Sequence, residues 1–392
     1  MVSAETLGLF VIASVASLFM AWAIGAGSSG STPFAPAVGA NAIGVMRAGL
    51  VVGFLGFLGA VLQGANVTEA VGTSLIDGVT ITATAAIVGL LTAAILVAVG
   101  VFAGYPIATA FTVTGAVVGV GLALGGAPAW SKYTEIATLW VTVPFVGGFA
   151  AYATARVLRS DRVPETVAVP LLGALVGAIL ANVGFTPIGP PGEQASVAAV
   201  LGSVIGGGVG SLLVTLVSAA LAGGLLRVDL ARDETGGQRR FLLALGGLVA
   251  FSAGGSQVGL AIGPLVPLLG DGIDLPVIAL LAGGGFGLLA GSWTGAPRMI
   301  KALAQDYSSL GPRRSIAALI PSFAIAQTAV AFGIPVSFNE IVVSAIVGSG
   351  YAAGGSGVSR RKMVYTVLAW VGSLVLALGV GYGAFTVVDT LV

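Results

Sequence analysis

The chain has no cysteine and no histidine. That excludes disulfides, thiolate chemistry, imidazole metal ligands and histidine proton relays. Charge is scarce as well, at 8% of 392 residues. Soluble domains carry about 25% charged residues, so this chain cannot clothe a water-facing surface. A formal net charge of +1 offers no basic field for nucleic acid. No Gly-Lys-Ser/Thr phosphate loop is present, so ATP is not the direct energy source. No metal or cofactor is called for, and without His, Cys or paired intramembrane carboxylates an enzyme is not expected.

What is present is apolar: 57% hydrophobic residues, 62 glycines and a mean hydropathy of +1.06. Roughly 20 apolar residues span a bilayer as helix. Such runs recur near 4–24, 44–64, 79–103, 107–126, 136–157, 167–184, 195–226, 241–269, 275–293, 315–333, 336–354 and 364–391. Lipid-facing strands would need short alternating segments, and none stands out. The fold class is an all-α polytopic membrane protein of about 10–12 membrane elements. Ser3 to Ile24 lacks a preceding basic region and is long enough to span, so it reads as a first membrane helix and not a cleaved signal.

Charges gather in a few connections, above all Arg227 to Arg240. This polar central loop (227–240) divides a first part, 1–226, from a second, 241–392. By the positive-inside rule it prefers the cytoplasm. The connections Thr186 to Gly192 and Asp271 to Asp274 carry no basic residue and read as external.

Two polar, glycine-rich stretches answer one another across the chain. Gly25-Ala-Gly-Ser-Ser-Gly-Ser-Thr-Pro-Phe34 is followed by Tyr105-Pro-Ile-Ala-Thr-Ala-Phe-Thr-Val-Thr-Gly115. Phe251-Ser-Ala-Gly-Gly-Ser-Gln-Val-Gly-Leu-Ala-Ile-Gly-Pro264 is followed by Ile334-Pro-Val-Ser-Phe-Asn-Glu-Ile-Val-Val-Ser344. Ser29 and Gln257 stand 228 apart, and Pro106 and Pro335 stand 229 apart. Interrupted hydrophobic segments at corresponding places in two halves are the best sequence pointer to a transporter's binding site. About seven elements separate the matched segments, and an odd number inverts the second half. Two inverted repeats with broken or re-entrant helices are therefore expected.

The glycines of 25–30 and 254–259 disfavour regular helix, so both stretches are expected to break and to offer backbone N–H groups. Pro106 and Pro335 are expected in the first turns of new half-helices, whose N-terminal ends favour an anion. Ser28, Ser29, Gly30, Ser31, Thr32, Thr109, Ser256, Gln257, Ser337 and Asn339 are the candidate anion ligands. Glu340, a carboxyl group in an apolar stretch, is functional by default and is assigned the coupling proton. Thr114, Ser344, Phe111 and Phe338 read as packing residues. Glu69, Asp77 and Asp306 read as solvated helix ends. Gly/Ser clusters also serve close helix packing, which is the alternative reading of each glycine stretch.

At these motifs the chain resembles the inorganic phosphate transporter (PiT) family. Each half of that family carries a Gly-Ala/Ser-Asn-Asp-Val-Ala-Asn-type motif and a Pro-Val-Ser-Thr-Thr-His-type motif. Phe251 to Leu265 follows the first through its Phe, Gly, Val and Ala-Ile-Gly-Pro-Leu positions. Pro335 to Gly348 follows the second, as Pro106 to Gly119 does, and Val67 to Asp77 looks like the family's Val-Thr-Glu-Thr segment. The resemblance implies an inverted-repeat transporter, commonly a homodimer, with an oxyanion between the repeats.

The departures fall in the motifs. The Asn-Asp pair is Ser28-Ser29 in one half and Ser256-Gln257 in the other, so two aspartates expected to help hold sodium are absent. A pocket of hydroxyls, an amide and helix N-termini suits sulfate, an acceptor-only anion. The motifs look more like the family's sulfate-permease branch. The expected function is thus ion-coupled transport of a small tetrahedral oxyanion, sulfate ahead of phosphate and H+ ahead of Na+. The alternatives are a sodium-coupled phosphate transporter and a passive anion channel. Three lysines against thirteen arginines fit a GC-rich prokaryote, which places the protein in that cell's plasma membrane.

Overall fold

The computed structural model describes residues 3–190, 193–269, 273–355 and 358–391. Pro191-Gly192 and Asp271-Gly272, within the two neutral connections, lie outside the described residues. The helices are α1 (Ala4–Ile24), α2 (Ala35–Gly39), α3 (Val45–Gln63), α4 (Ala65–Thr73), α5 (Ala83–Ala103), α6 (Thr109–Ala123), α7 (Trp130–Leu158) and α8 (Glu165–Ala181). There follow α9 (Val197–Ile205), α10 (Gly208–Arg232), α11 (Glu234–Ile262), α12 (Val277–Thr294), α13 (Ala296–Asp306), α14 (Pro312–Ala331), α15 (Phe338–Tyr351) and α16 (Arg360–Leu391). Nine segments among the described residues are long and apolar enough to cross a membrane. Two short antiparallel pairs join loops, Ile76 opposite Pro128 and Gly184 opposite Ser196.

Local chemistry sets the ends. Ser3 caps α1 by accepting from the Thr6 N–H, and Thr82 does the same for α5 from Ala85. Gly104, with φ 74°, ends α5 in the left-handed conformation. The apolar run 195–226 is two helices, because Gly206 and Gly207 turn the chain with φ of 135° and 69°.

The 227–240 segment, expected as a loop, is helical except at Asp233. Asp233 interrupts the run and caps α11 by accepting from the Gly236 N–H at 2.9 Å. Arg240 grips Asp229 across the join with two bonds of 2.9 and 2.7 Å. The amphipathic helices α4 and α13 were not foreseen.

α11 is buried from Ser252 to Ile262, whereas α10 turns Val209, Leu216 and Leu225 outward as a lipid-exposed face. Gly254–Gly259, expected to break, is regular helix. Its glycines serve contact: a Cβ at Gly254 would lie 2.6 Å from the Gly56 carbonyl carbon, and one at Gly259 would lie 2.6 Å from the Thr68 nitrogen. α11 thus meets α3 and α4 backbone to backbone.

The first stretch does break. Gly25–Ser29 is a π-type turn at the end of α1, and the chain re-forms helix only at Ala35. The Ser28 carbonyl there collects the N–H groups and the hydroxyls of Ser31 and Thr32 at 3.0–3.2 Å.

Two further helix pairs are interrupted alike. α5 is followed by an unwound linker and the 15-residue α6, and α14 by an unwound linker and the 14-residue α15. Pro106 and Pro335 sit in these linkers three positions before the helices, not in their first turns. Each proline carbonyl accepts an indole N–H from the other part of the chain. Trp370 of α16 reaches Pro106 at 2.8 Å, and Trp140 of α7 reaches Pro335 at 3.1 Å. Unwound backbone at membrane depth needs such donors. Close approach is reciprocal too: a Cβ at Gly119 would stand 3.0 Å from the Leu378 carbonyl carbon, and one at Gly348 would stand 2.6 Å from that of Gly148.

Candidate functional site

The break after α1, the N-terminal ends of α6 and α15 and the middle of α11 converge. Ser28, Ser29, Ser31, Thr32, Thr109, Ser256, Gln257, Ser337, Asn339 and Glu340 are all buried at 2% exposure or less, and Gly30 is buried among them. Sequence positions up to 312 apart therefore share one polar interior.

Two amides tie this interior together. The Gln257 Oε1 accepts from the hydroxyls of Ser28 at 3.1 Å and Thr109 at 2.7 Å, and its Nε2 donates to the Val336 carbonyl at 2.6 Å. One side chain of α11 thereby holds the α1 break, the start of α6 and the linker before α15. Asn339 donates both amide hydrogens, to the Gly27 carbonyl at 2.9 Å and the Ile107 carbonyl at 2.6 Å. Gln257 and Asn339 are cross-ties first. Ser31 and Thr32 cap Ser28, so their hydroxyls close the turn instead of standing free.

The atoms without a protein partner define what the interior can receive. They are the hydroxyls of Ser29, Ser256 and Ser337, Asn339 Oδ1 and both oxygens of Glu340. Ser337 occupies the N-cap of α15 yet caps nothing. Leaving a buried polar group unpaired costs about 1–3 kcal/mol, and a carboxylate more. Six such atoms in one region indicate groups arranged for something other than each other. The hydroxyls and the unpaired N–H groups opening α6 and α15 are donors. Asn339 Oδ1 and Glu340, when ionised, only accept. The interior thus holds both unpartnered donors and unpartnered acceptors.

Phe111, Ser344 and Asp306, read as packing residues or as a solvated helix end, are engaged by other partners. Phe111 stacks on Trp140 with centroids 3.8 Å apart, and Ser344 bonds its own turn at the Ile341 carbonyl. Asp306 pairs with Lys362 at 3.0 Å. The sequence reading missed Trp140 and Trp370, although their spacing of 230 nearly repeats that of the prolines they hold. It also missed a second buried cluster: Gln63 and Gln327 are 0% and 8% exposed and hydrogen-bond each other, and Gln327 donates to Ser252 at 2.6 Å.

Spanning helices interrupted around a shared buried polar interior make this a multi-pass membrane protein of the transporter class, not an enzyme fold. The chain belongs to the phosphate transporter family, whose model matches residues 24–381. Relatives of full length agree. A protein of Thermococcus kodakarensis named as a phosphate permease is 26% identical over 92% of this chain and 93% of its own. A protein of Chlamydia trachomatis also named as a phosphate permease is 26% identical over 92% of this chain and 94% of its own. The chloroplastic inorganic phosphate transporter 2-1 of Arabidopsis thaliana is 25% identical over 90% of this chain and 68% of its own. The fold matches a solved sodium-dependent phosphate transporter with a TM-score of 0.84 at 21% identity, over 98% of this chain and 100% of that one.

Proposed function

We propose that the chain is a sodium-coupled permease for inorganic phosphate in the plasma membrane of a prokaryote, built from two repeats of opposite orientation. The carrying observation is the set of unpartnered acceptor atoms in the interior, Asn339 Oδ1 and the Glu340 carboxyl oxygens. Asn339 has committed both amide hydrogens to backbone carbonyls, so its Oδ1 presents lone pairs only, as does the ionised carboxyl of the next residue, Glu340. Sulfate brings no proton to such groups and is repelled by them; hydrogenphosphate brings one. Phosphate therefore replaces the sulfate preference drawn from the missing aspartates, and the relatives above carry phosphate in their names.

The donors, namely the hydroxyls of Ser29, Ser256 and Ser337 and the starts of α6 and α15, would take the anion's remaining oxygens. The acceptor oxygens are hard ligands of the kind a sodium ion takes, and the structural neighbour is a sodium-dependent phosphate transporter. A second reading, proton coupling, is favoured by the position of Glu340, a carboxyl group inside the interior with no cation beside it. The reciprocal ties Trp140–Pro335 and Trp370–Pro106 support the paired-repeat reading.

Purified protein in proteoliposomes tests all of this. Labelled phosphate is expected to accumulate against its gradient when sodium is inward-directed, with little competition from a tenfold excess of sulfate. Preferential sulfate uptake would overturn the substrate assignment. Accumulation with a proton gradient alone would select the second reading, and equilibration without accumulation would mark a passive channel.

A further inference from the structure

Resting on the permease reading, the geometry points to Gln63 and Gln327 as the gate by which the anion reaches the interior, their amides parting to let it through. The hydrogen-bonded chain is continuous. The Gln63 Nε2 donates to the Gly184 carbonyl at 2.7 Å and to Gln327 Oε1 at 3.3 Å. The Gln327 Nε2 returns a bond to Gln63 Oε1 at 3.2 Å and reaches the Ser252 hydroxyl at 2.6 Å. Ser252 lies one helical turn before Ser256, whose unpartnered hydroxyl is one of the donors. At the outer end, Gln194 donates to the Gln63 carbonyl at 2.9 Å and Thr186 to the Leu62 carbonyl at 3.1 Å. Gly184, Thr186 and Gln194 thus hold the Gln63 end of the pair, with Pro187, Ile188 and Pro190 exposed nearby in the chain.

Three features suit this pair to opening. The two amides satisfy each other, so on parting each can bond water or a passing oxyanion through its N–H groups without a lasting orphan. Gln327 stands on α14 just before the linker that carries Ser337, so parting the pair moves the linker and the start of α15 with it. Gly333, at φ 62°, gives that linker a left-handed joint. A Cβ there would stand 3.0 Å from the Asn66 carbonyl oxygen, beside the end of α3. α3 begins near Ala42, whose carbonyl accepts from Arg239. Gln63 closes the opposite end, so the gate faces away from the arginine-rich join.

The absence of cysteine makes the test direct. In the double variant Gln63→Cys/Gln327→Cys, a short bifunctional methanethiosulfonate is used to bridge the thiols, because the two side chains meet end to end. Bridging is quantified by intact mass. Bridged protein is expected to lose at least 90% of sodium-driven phosphate uptake, to keep phosphate binding in detergent by calorimetry, and to recover uptake on reduction. Undiminished uptake by fully bridged protein overturns the gate. If the unbridged variant is inactive, Gln63→Ala/Gln327→Ala decides: sodium-independent phosphate leak is expected to rise about tenfold, and an unchanged leak overturns the gate. Wild-type protein that moves no phosphate would instead refute the permease reading.

Discussion

Replacing Gln257 by Leu removes three hydrogen bonds at once and tests whether this amide is the tie that assembles the interior. The hydroxyls of Ser28 and Thr109 lose their acceptor and the Val336 carbonyl loses its donor, all of them buried. Side-chain hydrogen bonds inside membrane proteins average about 0.6 kcal/mol and reach about 1.7 kcal/mol, so three predict a loss of roughly 2–5 kcal/mol. Removing both partners of a buried bond is much less harmful than removing one. The triple variant Ser28→Ala/Thr109→Val/Gln257→Leu, in which only the Val336 carbonyl stays orphaned, should therefore recover about two thirds of the loss. It should still fail to bind phosphate, because the α1 break, α6 and the α15 linker are no longer held together. Unfolding in a denaturing-detergent titration followed by circular dichroism gives the stabilities, and calorimetry gives the binding. A triple variant no more stable than Gln257→Leu would refute the tie. So would a triple variant that binds phosphate with wild-type affinity.

Glu340→Gln keeps shape and volume but removes the ionisable group from a buried position without a cation beside it. Stability is expected to hold or rise, while cation-driven uptake in proteoliposomes falls at least 100-fold. Trp370→Phe and Trp140→Phe each leave a proline carbonyl in an unwound linker without its donor. An orphan of about 1–2 kcal/mol corresponds to a 5- to 30-fold rise in KM for phosphate, of similar size in the two variants, measured from initial uptake rates. Gly348→Ala drives a methyl group into the Gly148 backbone, and Gly119→Ala does so at Leu378. Both should lower the unfolding free energy by about 2 kcal/mol or more, whereas Gly372→Ala on α16, with open space at its Cβ, should leave it within about 0.5 kcal/mol.

Much of this architecture was legible because membrane helices carry their signal in long apolar runs. Eleven of the twelve runs correspond to single helices, with local extension where caps or turns intervene, and only 195–226 conceals a Gly-Gly turn. The short helices α4 and α13 escaped because each is too brief and too polar to register as a span. The site residues were legible as types. Their roles were not, since Asn339 and Gln257 read as free donors until the carbonyls they hold came into view. Tertiary partners of that kind, like the indoles on the two prolines, leave no local mark.

The unequal fate of the two glycine stretches has a cause that a count of glycines misses. Both stretches contain residues of poor helix propensity, yet only the first unwinds. On the offset of 228 that aligns Ser29 with Gln257, Pro33 aligns with Ala261. A proline at that place lacks the N–H for the helix ladder and clashes with the preceding turn, at about 3 kcal/mol, which weighs against helix through 33 next to the glycines before it, whereas α7, α8 and α14 carry Pro144, Pro170 and Pro321 without breaking. Alanine imposes no such barrier, and α11 continues to Ile262, ending as Gly263-Pro264 begins. The glycines of 254–259 are then free to do what small residues do in a membrane interior, which is to bring α11 against α3 and α4. The first half thus contributes turn-forming serines to the interior and the second half a straight helix bearing Ser256 and Gln257. Glycines followed closely by a proline open the backbone after α1, and neither glycines alone in α11 nor prolines alone in α7, α8 and α14 do so.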